Sequence, residues 1–129
     1  MTNSEFRGIL EKRTTKFAVD VFKFLRSLPY DVSTKIISHQ LGKSASSIGA
    51  NYHEANRAES KDDFTHKMSI SLKEANETVY WFEVISGLFG DSNEIKALSQ
   101  EAFELRNLLQ RIVHSTKTTR NSQLSTLNS

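Results

Sequence analysis

The chain has 129 residues, of which 37% are hydrophobic and 25% charged, proportions typical of one globular domain rather than of a disordered chain. It has no cysteine, which excludes disulfides, thiolate nucleophiles and cysteine-based zinc sites. One proline and five glycines leave long stretches free of helix breakers, so we expect an all-helical fold. The formal net charge of +2 is too small to indicate nucleic-acid binding by itself.

The chain shows no pattern of export or of membrane insertion. Charged residues recur from Glu5 to Asp20, so there is no apolar stretch of the kind that signal peptides contain. A run of about 18 apolar residues, the length that spans a bilayer, does not occur. We therefore expect a cytoplasmic protein with no membrane partner.

The first predicted helix runs from about Glu5 to Leu28, with Ser4 or Asn3 as its N-cap. Pro29 ends it, because proline disfavours helical geometry in the preceding residue. At 100° per residue the apolar side chains of its second half fall within an arc of roughly 160°. These residues are Phe17, Val21, Phe22, Phe24, Leu25 and Leu28.

The second predicted helix begins after Asp31 as N-cap and continues to about Ala58. Small side chains dominate residues 42–50, and two glycines inside a helix cost roughly 1 kcal/mol each relative to alanine. We therefore expect a neighbouring helix to approach closely at this point. The inward positions are Ile36, Ile37, Leu41, Ala45, Ile48, Tyr52 and Ala55.

The third predicted helix opens with Ser60 and Asp63, a pair that resembles a capping box with aspartate in place of glutamate. Gly90 is the expected C-terminal stop. The core stripe consists of Phe64, Met68, Leu72, Ala75, Val79, Phe82, Ile85 and Phe89.

The fourth predicted helix begins after Asp91 or Ser92 and runs to about His114. Its inward residues are Ile95, Leu98, Ala102, Leu105, Leu109 and either Ile112 or Val113. Residues 115–129 are rich in Ser, Thr and Asn without apolar periodicity, which predicts a polar disordered tail. The sequence as a whole predicts an all-α, antiparallel up-down-up-down four-helix bundle over residues 1–114.

The third helix carries more apolar surface than one core uses. Five apolar residues fall outside its core stripe, four of them roughly 100° to 160° away from it on the helical wheel. Contiguous apolar patches with aromatic residues are typical of interfaces, so we predict a homo-oligomer. The alternative is that helices 2 and 4 flank helix 3 so widely that both stripes are core. The predicted interface residues are Ile70, Tyr80, Trp81, Val84 and Leu88.

The known catalytic and metal-binding spacings are incomplete in this chain. Residues 42–44 read Gly-Lys-Ser, but a phosphate-binding loop needs a further glycine where Ile37 stands. The His-Glu pair at 53–54 lacks a second histidine, because position 57 is Arg57. A di-metal bundle needs two Glu-x-x-His motifs, and the chain has none. We predict a non-enzymatic protein with no metal and no cofactor.

A group of polar residues is expected beside the contact between helices 2 and 3, in a hairpin that turns near residue 60. Such seams fix the register of two helices or complete a subunit contact, so we predict a structural role. The predicted polar seam consists of Asn51, Glu54, Arg57, Lys73, Glu74 and Glu77.

Basic residues follow a spacing of four, seven and three along helix 1, which places them on one outward stripe. Repeated by symmetry in an oligomer, these charges could displace counterions from phosphates. The alternative is an ordinary solvated helix face. The predicted basic stripe consists of Lys12, Lys16, Lys23 and Arg26.

Two segments, residues 47–64 and 67–82, carry a family motif. An Asn-x-x-Glu-Ala block is followed by a Ser-x-x-Asp-Phe helix start and then by Lys-Glu-Ala-x-Glu-Thr-x-Tyr-Trp. These segments resemble the bacterial four-helix-bundle proteins that include the product encoded within intervening sequences of large-subunit ribosomal RNA genes. The matching positions are Asn51, Glu54, Ser60, Asp63, Phe64, Lys73, Glu74, Glu77 and Trp81.

The resemblance implies a homopentameric ring of bundles in which the matching residues define fold and assembly. It also implies a relative among retroelement accessory proteins that binds nucleic acid and a reverse transcriptase. We therefore predict an oligomeric accessory protein that associates with RNA or DNA through the basic stripe. The alternative function is a scaffold that binds another protein and makes no nucleic-acid contact, and salt-dependent binding separates the two.

Overall fold

The computed structural model describes the backbone of residues 1–128 and the side chains of residues 1–119. Its helices are α1 Asn3–Arg26, α2 Val32–Asn56, α3 Lys61–Phe89 and α4 Asn93–Asn128. Each helix packs on the next, and α4 also packs on α1. Hydrogen bonds from Ser71 to Ile48 and from Thr78 to Ser44 show that α2 and α3 run in opposite directions. The predicted all-α four-helix bundle is confirmed.

Side-chain caps begin the helices, because the first N–H groups of a helix have no partner within it. Asp31 and Thr34 form a full capping box at the start of α2. The Ser60 hydroxyl accepts the backbone N–H of Asp63 at 3.0 Å. These two caps are confirmed. At α1 the prediction of Ser4 or Asn3 is wrong, because Thr2 lies one residue earlier and accepts the N–H of Glu5.

Both predicted breakers follow a helix end: Pro29 comes shortly after α1, which ends at Arg26, and Gly90 directly after α3. The ends of α1 and α2 each lie two residues before the predicted Leu28 and Ala58. Gly90 adopts a φ of 82° after α3, a left-handed conformation that glycine tolerates without a steric penalty. The end of α4 differs from the prediction near His114, because no glycine or proline follows it. The hydroxyls of Thr116 and Thr119 donate to carbonyls one turn earlier, so polar side chains continue the helix rather than end it. Residue 129 of the predicted tail lies outside the described residues.

Phe82 lies at the centre of the core. Its ring centroid is 6.4 Å from those of both Phe17 and Phe24, which connects α3 to α1 across the bundle. The predicted inward positions are largely confirmed, but three of them are exposed: Phe22, Ile36 and Phe89.

Phe22 and Ile36 lie at the edges of their apolar arcs, and Phe89 is the last residue of α3. The ring of Phe22 covers the side of Gly42, where a Cβ would lie 3.1 Å from Phe22 Cε1. Ile36 and the adjacent Ile37 cannot both face inward, because consecutive helical residues are about 100° apart.

Small residues of α2 allow both neighbouring helices to approach it. A Cβ at Gly49 would lie 3.0 Å from Thr14 Oγ1, so α1 approaches α2 as closely as predicted. On the other side, Thr78 and Ser44 form a buried hydrogen bond of 2.9 Å, and Ser71 donates to the Ile48 carbonyl at 2.8 Å. The small-residue run therefore serves close packing and buried hydroxyl pairing.

Candidate nucleic-acid interface

The four residues of the basic stripe are all exposed on one face of α1. Lys16 pairs with Asp20 at 2.6 Å, and this hydrogen bond raises the pKa of the Lys16 ammonium. Lys12, Lys23 and Arg26 have no ion pair with any described side chain. Three charges of the stripe are therefore available to a polyanion.

Arg13 belongs to the same helix but is already occupied. Its Nε and Nη2 donate to both carboxylate oxygens of Glu101 at 2.7 and 2.6 Å, and Nη2 also reaches Glu104 at 2.8 Å. The hydrogen bonds to Glu101 raise the pKa of Arg13. This bidentate pair joins α1 to α4 and leaves little of the guanidinium for phosphates.

A polar cluster around Glu11 was not predicted. The Glu11 carboxylate, only 18% exposed, accepts from Asn56 at 3.0 Å and lies 3.2 Å from both Arg57 and His53. The hydrogen bond from Arg57 lowers the pKa of Glu11, while burial opposes the shift. Arg57 therefore departs from the predicted polar seam, because it turns toward α1 instead of α3.

Within this cluster a hydroxyl, an imidazole and a carboxylate follow one another. His53 Nε2 is 3.4 Å from Thr15 Oγ1, and its Nδ1 is 3.2 Å from Glu11. Thr15 already donates to the Glu11 carbonyl. Backbone N–H groups in the middle of helices are committed to helical hydrogen bonds, and the side-chain donors Asn56 and Arg57 are both bound to the Glu11 carboxylate. The arrangement is a contact between α1 and α2 rather than a nucleophilic site.

The other seam residues lie along the outer side of the α2–α3 contact. Glu54 pairs with Lys67 at 2.8 Å, a partner that was not predicted. Asn51 donates to the Ser47 carbonyl within its own helix. Burial, and then the charge of Glu77, raises the pKa of the half-buried Glu74, while the positive charge of Lys73 opposes this shift.

The predicted interface residues form an outward surface on α3, called here the α3 patch. Tyr80 and Leu88 are each 54% exposed. Ile70 is half-buried, and Trp81 and Val84 are half-buried against the core. Trp81 also donates to Glu77 at 3.4 Å. The alternative was that both apolar stripes of helix 3 belong to the core. It holds for Trp81 and Val84, which pack against the core, but not for Tyr80 and Leu88, which are exposed.

The α3 patch continues onto α2. The hydrogen bond between Thr78 and Ser44 fixes the register of the two antiparallel helices, and counting outward from it places Ile36 level with Ser86, between Val84 and Leu88. Ile36 is exposed. The apolar surface therefore spans two helices.

Two adjoining clefts lie at the end of the bundle where α1 begins. Their volumes are about 430 Å³ and 860 Å³. Their walls come from α1, the end of α2, the α2–α3 turn, the start of α3 and α4, so no local motif in the sequence could have indicated them. Among the residues with described side chains, no group of three or more His, Asp or Glu is placed to hold a metal ion. None of the described helices is long and apolar enough to cross a membrane.

These features define a helical bundle whose candidate functional groups lie on its surface rather than in a central active site. The chain belongs to the 23S rRNA-intervening sequence protein family, whose model matches residues 9–118.

A solved structure from Bacteroides thetaiotaomicron supports this assignment. It is described as a protein of unknown function from the S23 ribosomal protein family, is 34% identical to this chain and superposes with a TM-score of 0.70. The match covers 80% of this chain and 96% of that one. No protein of curated function matches the chain. Neither the family description nor that of the solved relative is that of an enzyme family.

Proposed function

We propose that this chain is a non-enzymatic, oligomeric accessory protein that associates with nucleic acid through the basic stripe of α1. The observation that carries this proposal is the exposure of all four stripe cations on one face, three of them without an ion pair among the described side chains. Such free cations gain most from replacing the counterions of a phosphate backbone.

The length of the stripe suits a short stretch of nucleic acid. Helical rise of 1.5 Å per residue makes the distance from Lys12 to Arg26 about 21 Å. One strand of duplex DNA carries a phosphate roughly every 3.4 Å along the axis, so the stripe spans about six phosphates of such a strand. The family description refers to 23S rRNA and that of the solved relative to a ribosomal protein family, which favours RNA as the partner.

Replacement of Lys12 and Lys23 by glutamine tests the stripe. We expect wild-type protein to bind a generic RNA at about 50 mM salt and to lose affinity steeply as salt rises. Two lost phosphate contacts should lower the slope of log K against log salt by about 1.4 to 1.8. Titration by fluorescence anisotropy at several salt concentrations measures both quantities.

The matched control replaces Lys35 and Lys96, exposed lysines on α2 and α4, by glutamine. It changes the net charge equally but leaves the stripe intact. Absence of RNA or DNA binding at about 50 mM salt, or an equal effect of both double variants, contradicts the stripe proposal. Such a result favours the alternative, a scaffold that binds another protein.

The oligomeric part of the proposal depends on the α3 patch. A second copy that covers Tyr80, Leu88 and Ile36 would remove apolar surface from water, the main driving force of association. Trp81 suits the centre of such an interface because tryptophan is enriched among residues that dominate binding energy. The pentamer implied by the family resemblance is the proposed assembly.

We expect a solution mass of five times the 14.6 kDa chain at micromolar concentration, measured by analytical ultracentrifugation. Leu88→Glu should shift the protein toward the monomer, because a carboxylate would be buried without a partner. Ile9→Glu is the matched control, since Ile9 is a similar side chain, 53% exposed, on α1. A monomeric wild-type mass, or equal dissociation by both variants, would refute assembly through this patch.

A further inference from the structure

The smaller cleft at the end of the bundle has an apolar floor and a polar rim. Its volume of about 430 Å³ lies within the range of small-molecule sites, roughly 300–1,000 Å³. The floor is formed by Phe6, Tyr52, Phe64 and Ile112.

Asn56 has an unsatisfied atom in this cleft wall. Its Nδ2 donates to Glu11 Oε2 at 3.0 Å, which fixes the orientation of the amide. Its Oδ1 is buried and accepts no hydrogen bond from the described atoms. Buried polar atoms are normally paired, so a ligand with an N–H or O–H group would supply the hydrogen bond that Asn56 Oδ1 lacks.

The rim of the smaller cleft is positively charged. Arg7 and Arg111 both line it, and none of its lining residues is acidic. Neither arginine has an ion pair with a described side chain. The wider neighbouring cleft differs, because Glu59 and Asp62 line it. An anion is therefore attracted to the smaller cleft.

We propose that the smaller cleft binds a phosphate monoester attached to a planar ring that bears an N–H group, the chemistry of a nucleoside monophosphate. A dianionic phosphate matches two guanidinium groups, which hold phosphate oxygens in bidentate pairs. An aromatic ring packs on the phenylalanine floor, as bases do on aromatic side chains. An N–H of the base, in AMP that of the exocyclic amino group, donates to Asn56 Oδ1.

Simpler ligands satisfy only part of this site. Inorganic phosphate leaves the apolar floor and Asn56 Oδ1 without partners, and a monocarboxylate supplies one negative charge for two arginines. The same chemistry occurs in a free nucleotide and at the 5′-phosphorylated end of a strand. The site uses no residue of the basic stripe, so it stands or falls independently of the proposed function.

Isothermal titration of the full-length chain with AMP, adenosine and inorganic phosphate tests the assignment. We expect AMP to bind with a Kd below about 1 mM, and adenosine and phosphate to bind at least about tenfold more weakly. Arg111→Gln and Arg7→Gln should each weaken AMP binding by about tenfold or more. Both arginines are exposed, so these variants should fold. Lys96→Gln, an exposed cation on α4 outside both the cleft and the basic stripe, should leave AMP binding unchanged.

A short oligo(dA), with and without a 5′-phosphate, distinguishes the two sources of the ligand. Binding of AMP that depends on the arginines identifies a free nucleotide. Tighter binding of the 5′-phosphorylated strand than of the unphosphorylated strand, with the difference lost in Arg7→Gln and Arg111→Gln, identifies a strand end. Phosphate binding as tight as AMP, AMP binding unchanged in both arginine variants, or no heat with any probe would overturn the proposal.

Discussion

Replacement of Phe82 by alanine is expected to lower the free energy of unfolding by about 3 to 5 kcal/mol. The side chain has no solvent exposure and its ring lies against those of Phe17 and Phe24 of α1. Alanine would leave a cavity where α1 and α3 meet, and the helices cannot close it without shifting every contact around them. Urea unfolding at one fixed protein concentration measures the effect, because assembly would make stability concentration-dependent.

Phe103→Ala is the matched control for this prediction. Phe103 is the same residue type on α4, but it is 44% exposed and contacts the guanidinium of Arg106 at 4.9 Å. Its removal should cost less than about 1 kcal/mol, the scale of an exposed cation–π contact. Similar losses in the two variants would show that Phe82 does not hold the centre of the core.

The elements of the fold that local chemistry determines could be predicted from the sequence. Asp31, Ser60 and Gly90 act within one turn of their own helix, so their roles follow from residue type and position alone. The start of α1 was less determined because Thr2, Asn3 and Ser4 are all good capping residues. The end of α4 could not be placed because the chain after His114 has no helix breaker.

The residues of the candidate site also divide into those whose position the sequence predicts and those whose position depends on how the helices pack. The basic stripe was accessible to sequence reasoning because its residues share one helix, where spacing alone fixes the exposed face. The Glu11 cluster was not, since it depends on which side chain of α2 lies level with which residue of α1. Arg57 follows the last residue of α2, where its side chain could reach either α1 or α3. A rotation of the helix end by a fraction of a turn would change its partner from Glu11 to the residues of the polar seam on α3.

The family resemblance could not have indicated the cleft at the end of the bundle. Its matching positions lie on α2, at the N-cap of α3 and along α3, and Phe64 is the one of them that lines the smaller cleft, whereas Arg7 and Arg111 lie on α1 and α4. Only the assembled bundle brings these arginines beside Asn56. A ligand site built from separated segments has no signature in any one of them.

Gly49→Leu is expected to destabilise the bundle by about 3 kcal/mol, the upper range for overpacking a well-filled contact. Even a Cβ at this position would lie 3.0 Å from Thr14 Oγ1 and 3.1 Å from Thr14 Cβ. A leucine must therefore push α1 away from α2, which would also strain the Glu11 hydrogen bonds to Asn56 and Arg57. Thermal or urea unfolding, with helix content followed by circular dichroism, measures the loss.

Gly87→Ala is the comparison variant, and we expect it to stabilise the bundle because an added side chain meets no neighbouring atom. A Cβ at Gly87 meets nothing within 4 Å, and the residue lies within α3. Alanine should therefore raise the free energy of unfolding by up to about 1 kcal/mol through helix propensity. If both substitutions raised the free energy of unfolding, helix propensity rather than close approach would govern position 49. A loss at Gly49 with a gain at Gly87 would instead show that α2 gives up helix propensity so that α1 can reach it.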